Sequence, residues 1–424
     1  MLLSGKTPLL RVCLTSVVII CVVCMPALAH AATVSVMLPF ADSELELIEE
    51  FMEELYRSTY HEDVEIEVIS GNLITSIQQV LSGQQHVDVV AVPDQLVYQF
   101  RERGILAPLD AYLLFDPVYH AGEQANNSLL VLYQSRGSTY GLPFLPTTSK
   151  LLINRKLLDQ VGLASAIDSW TLDDLLALAK LGVEDTNRDG HPDRYGLVVP
   201  LARDTMSPAL GLVWCMGGSL QSVEEEMDES PFMDDDGIRR ALEWFHEWGK
   251  ENSRAGTVGV VDSPLGSEAF YRGDAIALIV GGFARKPETL DVVFMPLPLS
   301  DNQSAQRYVT SLCLSMTSTS KDPEIAWRVV KLLHGPDFER LLLSVSFLIP
   351  QWESNISLVG QMWGEDAQSA FEAVVSEPVG GFPSGPNSLQ QLGLILTAVE
   401  RAVAGQLDVD EIMSRLVYEL RQLH

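Results

Sequence analysis

The alternation of short strands with amphipathic helices near the N-terminus most constrains the fold of this chain. Residues 33–38, 64–69 and 87–92 have the apolar or alternating pattern of strands. Residues 44–56 and 73–81 repeat apolar side chains at helical spacing. This order predicts βαβ units and a parallel sheet with both faces covered. Because such sheets bind ligands at the carboxyl ends of their strands, three loops are candidates for a site. They are residues 39–44, 70–72 and 93–95.

Residues 139–157, TYGLPFLPTTSKLLINRKL, predict an extended segment that crosses between two lobes. Pro143 and Pro146 exclude a helix through the first half, because proline lacks an N–H and favours extended geometry before it. Residues 151–153 are typical of a buried strand. With 424 residues the chain exceeds the roughly 250–300 that one core can serve, so we expect at least two cores. A ligand is expected beside the crossing segment.

Residues 1–29 are predicted to be a signal peptide. Lys6 and Arg11 come first without an acidic residue, residues 12–28 are almost wholly apolar, and Ala27-Leu28-Ala29 fits a cleavage site. We therefore expect an extracytoplasmic protein, in the periplasm or at the cell surface. An uncleaved anchor stays open, because the apolar run is just short of the ~20 residues that span a bilayer.

The composition is strongly acidic, with 28 Lys and Arg against 57 Asp and Glu. The formal charge is −29, and it becomes −31 when Lys6 and Arg11 leave with the leader. Such a surface repels nucleic acid and anionic lipid, which excludes these partners. Cys215 and Cys313 remain in the mature chain, each within an apolar run. Two buried free thiols are expected, although a disulfide between them stays open.

Residues 185–193, DTNRDGHPD, have the oxygen spacing of a calcium loop. Positions 1, 3 and 5 of such a loop carry oxygen ligands, position 6 is glycine and position 9 is an acid. Position 12 is Gly196 instead of glutamate, which argues against an EF-hand sensor. A structural calcium site is predicted, and a solvated acidic turn is the alternative. Its ligands would be Asp185, Asn187, Asp189, His191 through its carbonyl, and Asp193.

Four aromatic residues lie beside residues that break regular structure, which is typical of loop ends that line a site. They are Tyr140, Trp214, Phe283 and Trp352. Sugars pack their C–H faces on aromatic rings and bind hydroxyls to polar partners, so this recurrence favours a carbohydrate site. Each ring alone would also be explained as part of a core.

No catalytic motif is present in the sequence. G-x-S-x-G, H-E-x-x-H, the P-loop and G-x-G-x-x-G are all missing, and the eight histidines form no ligand spacing. The sequence therefore predicts a protein that is not an enzyme. Scattered carboxylates leave a secreted glycoside-acting enzyme open as an alternative.

The order of these motifs resembles the extracytoplasmic solute-binding proteins of ABC importers, of the carbohydrate-binding kind that includes maltose-binding protein. The likeness rests on the leader and on four further stretches. These are VDVVAVPDQLVYQFRERGILAPLD, TYGLPFLPTTSKLLINRKLLDQVGL followed by WTLDDLLALAK, DTNRDGHPDRYGL and YRGDAIALIVGGFA.

The resemblance implies an α/β protein of two lobes, each a mixed, mostly parallel sheet flanked by helices, that closes over a solute. Lobe one would comprise 33–140 and 300–343, and lobe two 141–299 and 344–424. Crossings would lie near Tyr140, Ser300 and Ser344.

By position, the resemblance implies that Asp94 accepts hydrogen bonds from the ligand while three rings of lobe two pack on it. Those rings are Trp214, Phe283 and Trp352, with Asp42 and Tyr140 as weaker candidates. The family often has Gly-Pro-Trp where this chain has Gly281-Gly282-Phe283, so the sugar and even the solute class stay open. The implied partner is a membrane permease that receives the solute from a monomer. A polyamine or another non-sugar solute is the alternative within binding proteins, and a ligand-sensing receptor subunit is a third.

Overall fold

A computed structural model describes the fold from residue 31 to residue 423, with internal gaps. The described ranges are 31–40, 42–69, 73–120, 127–163, 170–185, 187–189, 192–202, 207–219, 235–254, 264–281, 289–345, 348–376, 379–381 and 385–423. The predicted leader lies outside them. Within these ranges, no helix is both long enough and apolar enough to cross a membrane.

Twelve strands are formed by the described residues. They are β1 Ala32–Met37, β2 Val64–Ile69, β3 Val89–Pro93, β4 Gln134–Ser135, β5 Ser138–Thr139, β6 Leu142–Thr148, β7 Lys150–Asn154, β8 Tyr195–Val198, β9 Ala275–Val280, β10 Val292–Pro296, β11 Arg307–Met316 and β12 Val379–Gly380.

Sixteen α-helices accompany these strands in the described ranges. They are α1 Asp42–Tyr60, α2 Leu73–Leu81, α3 Val97–Glu102, α4 Asp110–Phe115, α5 Pro117–His120, α6 Arg155–Gln160, α7 Leu172–Leu181, α8 Pro208–Cys215, α9 Asp235–Arg254, α10 Pro264–Arg272, α11 Pro323–His334, α12 Pro336–Val345, α13 Glu353–Trp363, α14 Glu365–Ser376, α15 Ser388–Ala404 and α16 Val409–Arg421. Two 3₁₀ turns span Asp94–Leu96 and Asn127–Tyr133.

The first sheet has the strand order β12-β11-β3-β1-β2, with β6 paired to β11. The βαβ units predicted at the N-terminus are confirmed, because β1 is parallel to both β2 and β3. The long strand β11 then runs antiparallel to β3 and to β6. Helices α1 and α11 cover this sheet.

The second sheet has the order β10-β7-β9-β8. Strand β7 is antiparallel to both neighbours, and only the β8–β9 pair is parallel. The two-lobed α/β fold is thus confirmed, but parallel pairs are less dominant than predicted. The reason is that β6, β7, β10 and β11 belong to crossing segments, which enter each sheet against the direction of its neighbours.

The segment 139–157 gives one strand to each sheet, as expected of a crossing. Strand β6 pairs with β11 in the first sheet, and β7 pairs with β9 and β10 in the second. The change of sheet therefore falls at Ser149 and not near Tyr140, because residues 142–148 remain hydrogen-bonded to the first sheet. Leu145 sits in a bulge of β6 with a positive φ of 53°, where the register with β11 shifts.

Two further segments join the sheets. Residues 297–306 lead from β10 in the second sheet to β11 in the first. Residues 348–362 lie between Phe338, which packs on Phe51 and Phe144 of the first lobe, and Trp363, which contacts Phe294 of β10. The complete division into lobes given above stays a prediction, apart from the shift to Ser149.

Local sequence signals explain where three helices begin. Thr171 and Asp174 form a reciprocal capping box at α7. Asp322 caps α11 ahead of Pro323, and Asp408 caps α16. Cys215 and Cys313 are buried free thiols.

Candidate functional site

Two of the predicted ligand-binding residues meet on strand β11. The Thr310 hydroxyl donates to Asp94 Oδ2 over 2.9 Å, and the Trp214 ring lies 4.9 Å from the Tyr308 ring, centre to centre. Because side chains alternate along a strand, Tyr308 and Thr310 face the same side of β11. Asp94 comes from the first lobe, whereas Trp214 comes from α8, which also packs on α9 and α15 of the second lobe. We call Asp94, Trp214, Tyr308 and Thr310 the seam group.

Asp94 is placed by the end of a parallel strand. It follows β3 directly and opens a 3₁₀ turn, where its Oδ1 also accepts the Gln95 N–H. The same turn contacts helix α15 of the second lobe. Its carboxylate is only 5% exposed. The predicted loop at 93–95 thus lies at the boundary between the lobes, as the rule for parallel sheets requires.

Trp214 is fixed by the second crossing segment. The carbonyls of Trp214 and Cys215 accept the N–H groups of Gln306 and Ser300. These bonds satisfy the C-terminal carbonyls of α8, which have no partner inside the helix. Gly211 lets α8 approach the first crossing, since a Cβ there would lie 2.2 Å from Ser149 Oγ. Both crossings therefore determine where the indole lies.

Two basic side chains are buried beside the crossings. Lys150 begins β7 and is fully buried, and burial lowers the pKa of its ammonium to about 7. Its Nζ donates to Thr147 Oγ1 over 3.3 Å. Arg307, at the start of β11 and next to Tyr308, is 5% exposed. The lobe boundary is therefore rich in hydrogen-bond donors.

Tyr133 adds a buried phenol on the opposite face of β11. Its hydroxyl is hydrogen-bonded to Ser311 Oγ. Burial, and next the neighbouring Asp94 carboxylate, raise the pKa of Tyr133 well above its usual value. It remains a neutral donor and acceptor at physiological pH.

The other predicted residues do not join the seam group in the described structure. Tyr140 lies towards the far end of β11, where its carbonyl accepts the Ser315 hydroxyl and its ring lies 6.0 Å from the Arg101 guanidinium. Asp42 begins α1, but its side chain is not among the described ones. Phe283 lies outside the described residues. Their predicted roles stay predictions.

Trp352 has a structural contact where a ligand contact was predicted. Its Nε1 donates to the His334 carbonyl over 2.6 Å, and its ring meets the His334 imidazole at 5.9 Å. The side chain is 6% exposed. Trp352 therefore holds the third crossing to α11, and its predicted contact with a ligand stays a prediction.

The predicted calcium loop turns its oxygens inwards. Asp185 Oδ1 and Asn187 Oδ1 both accept the Asp189 N–H, at 3.2 and 2.8 Å. Asp193 accepts the backbone N–H and the side-chain amide of Asn187. His191 lies outside the described residues. Among the residues that are described, no three His, Cys, Asp or Glu side chains converge as a metal site. Calcium binding therefore stays a prediction.

Several residues of this region were not predicted from the sequence. Tyr308, Thr310 and Arg307 lie in the stretch RYVTSLCLSM, which has the pattern of a buried strand. The only signal was that hydroxyls and a cation occur in a strand that is otherwise apolar. Such residues are rarely buried without a partner.

The groups of this arrangement can bind a polar ligand. Aromatic faces, a carboxylate and hydroxyls suit a molecule with both C–H faces and hydroxyl groups. Burial raises the pKa of the Cys313 thiol, which makes it a poor nucleophile. All four members of the seam group are buried in this structure.

Comparison with known proteins agrees with this architecture. A sequence model of the family described as bacterial extracellular solute-binding protein matches residues 41–338. No curated protein matches the chain.

Solved structures of solute-binding proteins share the fold at low sequence identity. The sugar-binding protein MalE from Xanthomonas citri has a TM-score of 0.72 and 15% identity, over 92% of this chain and 97% of that one. An ABC transporter solute-binding protein from Thermotoga lettingae, bound with α-D-tagatose, has a TM-score of 0.72 and 17% identity, over 93% and 100%. The maltotriose-binding protein of Thermus thermophilus, bound with maltotriose, has a TM-score of 0.69 and 18% identity, over 92% and 99%.

Proposed function

Since the chain belongs to the family of bacterial extracellular solute-binding proteins, we propose that it binds a sugar or oligosaccharide between its lobes for an ABC importer. The family implies an extracytoplasmic location, in keeping with the predicted leader. The solved structures named above include proteins bound with tagatose and with maltotriose, which supports a carbohydrate as the solute class.

The observation that carries this proposal is that Asp94 and Trp214 contact Thr310 and Tyr308, two residues on one face of β11. A carboxylate that already accepts a hydroxyl from Thr310 can accept hydroxyls of a sugar instead. The rings of Trp214 and Tyr308 offer apolar faces for its C–H groups. Phe283, Tyr140 and Asp42 remain candidates for further contacts.

Lobe movement supplies the mechanism. Asp94 and Trp214 are separated by opening and reunited by closure, so a solute that touches both binds the closed form better. It shifts the population by that difference in affinity. The closed monomer then docks on the membrane permease, to which it delivers the solute.

A polyamine is less favoured than a sugar by the charges at the boundary. Lys150 and Arg307 are buried there, and Asp94 is the buried carboxylate described with them. A ligand with several positive charges would be repelled by Arg307 and by the protonated form of Lys150, whose pKa is about 7. A glycoside-acting enzyme requires two carboxyl groups facing one bond, and the described seam group contains one.

The loop at residues 185–193 supports a separate proposal of a structural calcium ion. Asp185, Asn187, Asp189, Asp193 and the His191 carbonyl would hold it. Calcium prefers carboxylate and carbonyl oxygens, which this set provides. The ion would stabilise the turn between α7 and β8, with no part in solute binding.

The experiment that tests sugar binding begins with the small molecule that co-purifies with the protein. Mass spectrometry of the denatured protein should release a carbohydrate, and calorimetry should show one site per chain for that sugar. Incubation with aryl glycosides should give no turnover. Recovery of a polyamine, or hydrolysis of glycosides, would contradict the proposal.

A further inference from the structure

The third crossing segment is held to the first lobe by a buried carboxyl group. Glu339, on α12, accepts the Gln351 N–H at Oε1 and the Asn355 side-chain amide at Oε2, the latter over 2.8 Å. The backbone N–H of Trp352 is a third donor to this carboxyl, whereas its indole N–H binds the His334 carbonyl. Glu339 is 8% exposed. The segment that joins the lobes therefore depends on one acid as its acceptor.

This acid has no cationic partner among the described residues. On its own helix, Asp337 and Arg340 form an exposed pair with each other. On α11, Lys331 pairs with Asp116, at 2.8 Å. Glu353, at the start of α13, is exposed, and β6 and residues 348–352 contain no titratable side chain.

His334 is the titratable group that shares a small cavity with Glu339. The walls are otherwise mostly apolar, from β6, α11, α12 and the third crossing. Burial lowers the pKa of the His334 imidazole to about 4, so it is neutral at pH 7. It contributes no positive charge to balance the carboxylate.

We propose that Glu339 is a proton-sensitive latch on the third crossing, closed when the carboxyl is protonated and released as it ionises. The proposal rests on two observations. The Glu339 carboxyl is buried without a cationic partner among the described residues, and it binds backbone N–H groups of the segment that joins the lobes. Release exposes the carboxyl to water, where the ionised form is stable. The latch does not depend on the identity of the solute.

The direction of the pH dependence follows from the number of protons that the closed and released forms hold. Burial, which outweighs the three hydrogen bonds, raises the pKa of Glu339 from 4.5 to about 7. The closed latch thus holds a proton that the released form has lost, so rising pH favours release. Between pH 6 and pH 8 this difference increases the released population about tenfold.

Hydrogen exchange measured by mass spectrometry on the full chain tests the latch without a solute. For peptides that cover residues 348–356, the protection factor, corrected for the intrinsic rate, should fall about tenfold from pH 6 to pH 8. The Glu339→Gln variant should show no such difference. Glu353→Gln, which removes the same charge from an exposed position in the same segment, should behave like the wild type.

A second variant keeps the test decisive if Glu339→Gln fails to fold. Asn355→Ala removes one donor that favours the ionised carboxyl, so the fall from pH 6 to pH 8 should become steeper than in the wild type. Asn355 Oδ1 is buried without a hydrogen-bond partner, so no acceptor contact is lost. Constant protection in the wild type, or an equal fall in Glu339→Gln, would overturn the proposal.

Discussion

Trp214 and Trp352 are both buried tryptophans beside residues that break regular structure, yet they belong to different kinds of site. Trp214 is joined by a carboxylate and hydroxyls from another lobe, on one face of β11. Trp352 contacts His334, the last residue of α11, and lies next to Gln351, whose N–H binds Glu339 of α12. The comparison teaches that an aromatic residue beside a loop can have either environment, so our proposed solute site is based on the convergence of elements from two lobes.

The largest expected effect is a loss of stability when Trp352 is replaced. Trp352→Ala removes a buried indole and its hydrogen bond to the His334 carbonyl, which should lower the free energy of unfolding by about 3–5 kcal/mol. Chemical denaturation measures this loss. The variant that remains folded should bind the solute with unchanged affinity by calorimetry. A loss of affinity at unchanged stability would assign Trp352 to the solute site after all.

The next effect concerns affinity. Asp94→Asn keeps one acceptor oxygen but removes the charge, and it should weaken solute binding roughly 10- to 100-fold, as expected for a hydrogen bond to a charged group. Calorimetry with the co-purified sugar measures it. Asp88→Asn is a matched control, since Asp88 precedes the same strand and binds Ser35 and Ser320 at its opposite end. An equal loss of affinity in Asp88→Asn would contradict the assignment of the solute site to the Asp94 end of β3.

The pH dependence of stability should reveal two opposing groups in the latch region. Glu339, whose pKa is raised to about 7, loses its stabilising contribution as pH rises from 4.5. His334, whose pKa is lowered to about 4, loses its contribution as pH falls from 6.5. Between pH 4.5 and 6.5 the two nearly cancel in the wild type.

Single variants should remove this cancellation. In Glu339→Gln, stability should fall by about 2 kcal/mol from pH 6.5 to pH 4.5, and in His334→Gln it should rise by about as much. Denaturant titrations at both pH values, relative to the wild type, measure these slopes. If the stability of both variants depended on pH in the same way as that of the wild type, neither group would titrate as described.

The smallest expected effect is that of calcium. At a concentration ten times its Kd, the ion should stabilise the protein by about 1.4 kcal/mol, which raises Tm by a few degrees. Asp189→Ala should abolish the shift, whereas Asp173→Ala, at an exposed acid on α7, should retain it. A Tm that changes with neither calcium nor a chelator would contradict the calcium site and favour the alternative, a solvated acidic turn at residues 185–193.

Local features are the ones most accessible from the sequence. The capping box at Thr171 and Asp174 and the start of α11 at Asp322 need only neighbours within one turn. The position of Asp94 also followed from a general rule on parallel strands. These features were accessible because their causes lie within a few residues.

Features that depend on distant contacts were not accessible from the sequence. The roles of Tyr308 and Thr310 arise from which strands border β11. The shift of the first crossing to Ser149 arises because β6 bulges at Leu145 and stays paired beyond Tyr140. The contacts of Trp352 with His334 were not accessible either, because nothing local in the sequence shows which helix a buried ring packs against.

One backbone hydrogen bond links the first crossing to the third. The Ile349 N–H donates to the Pro146 carbonyl over 2.8 Å, a few residues from the point where the chain leaves the first sheet. Rotation of one crossing without the other would stretch this hydrogen bond. The first and third crossings are therefore tied to each other near Pro146, so the bending proposed for the lobes has to carry both connections together.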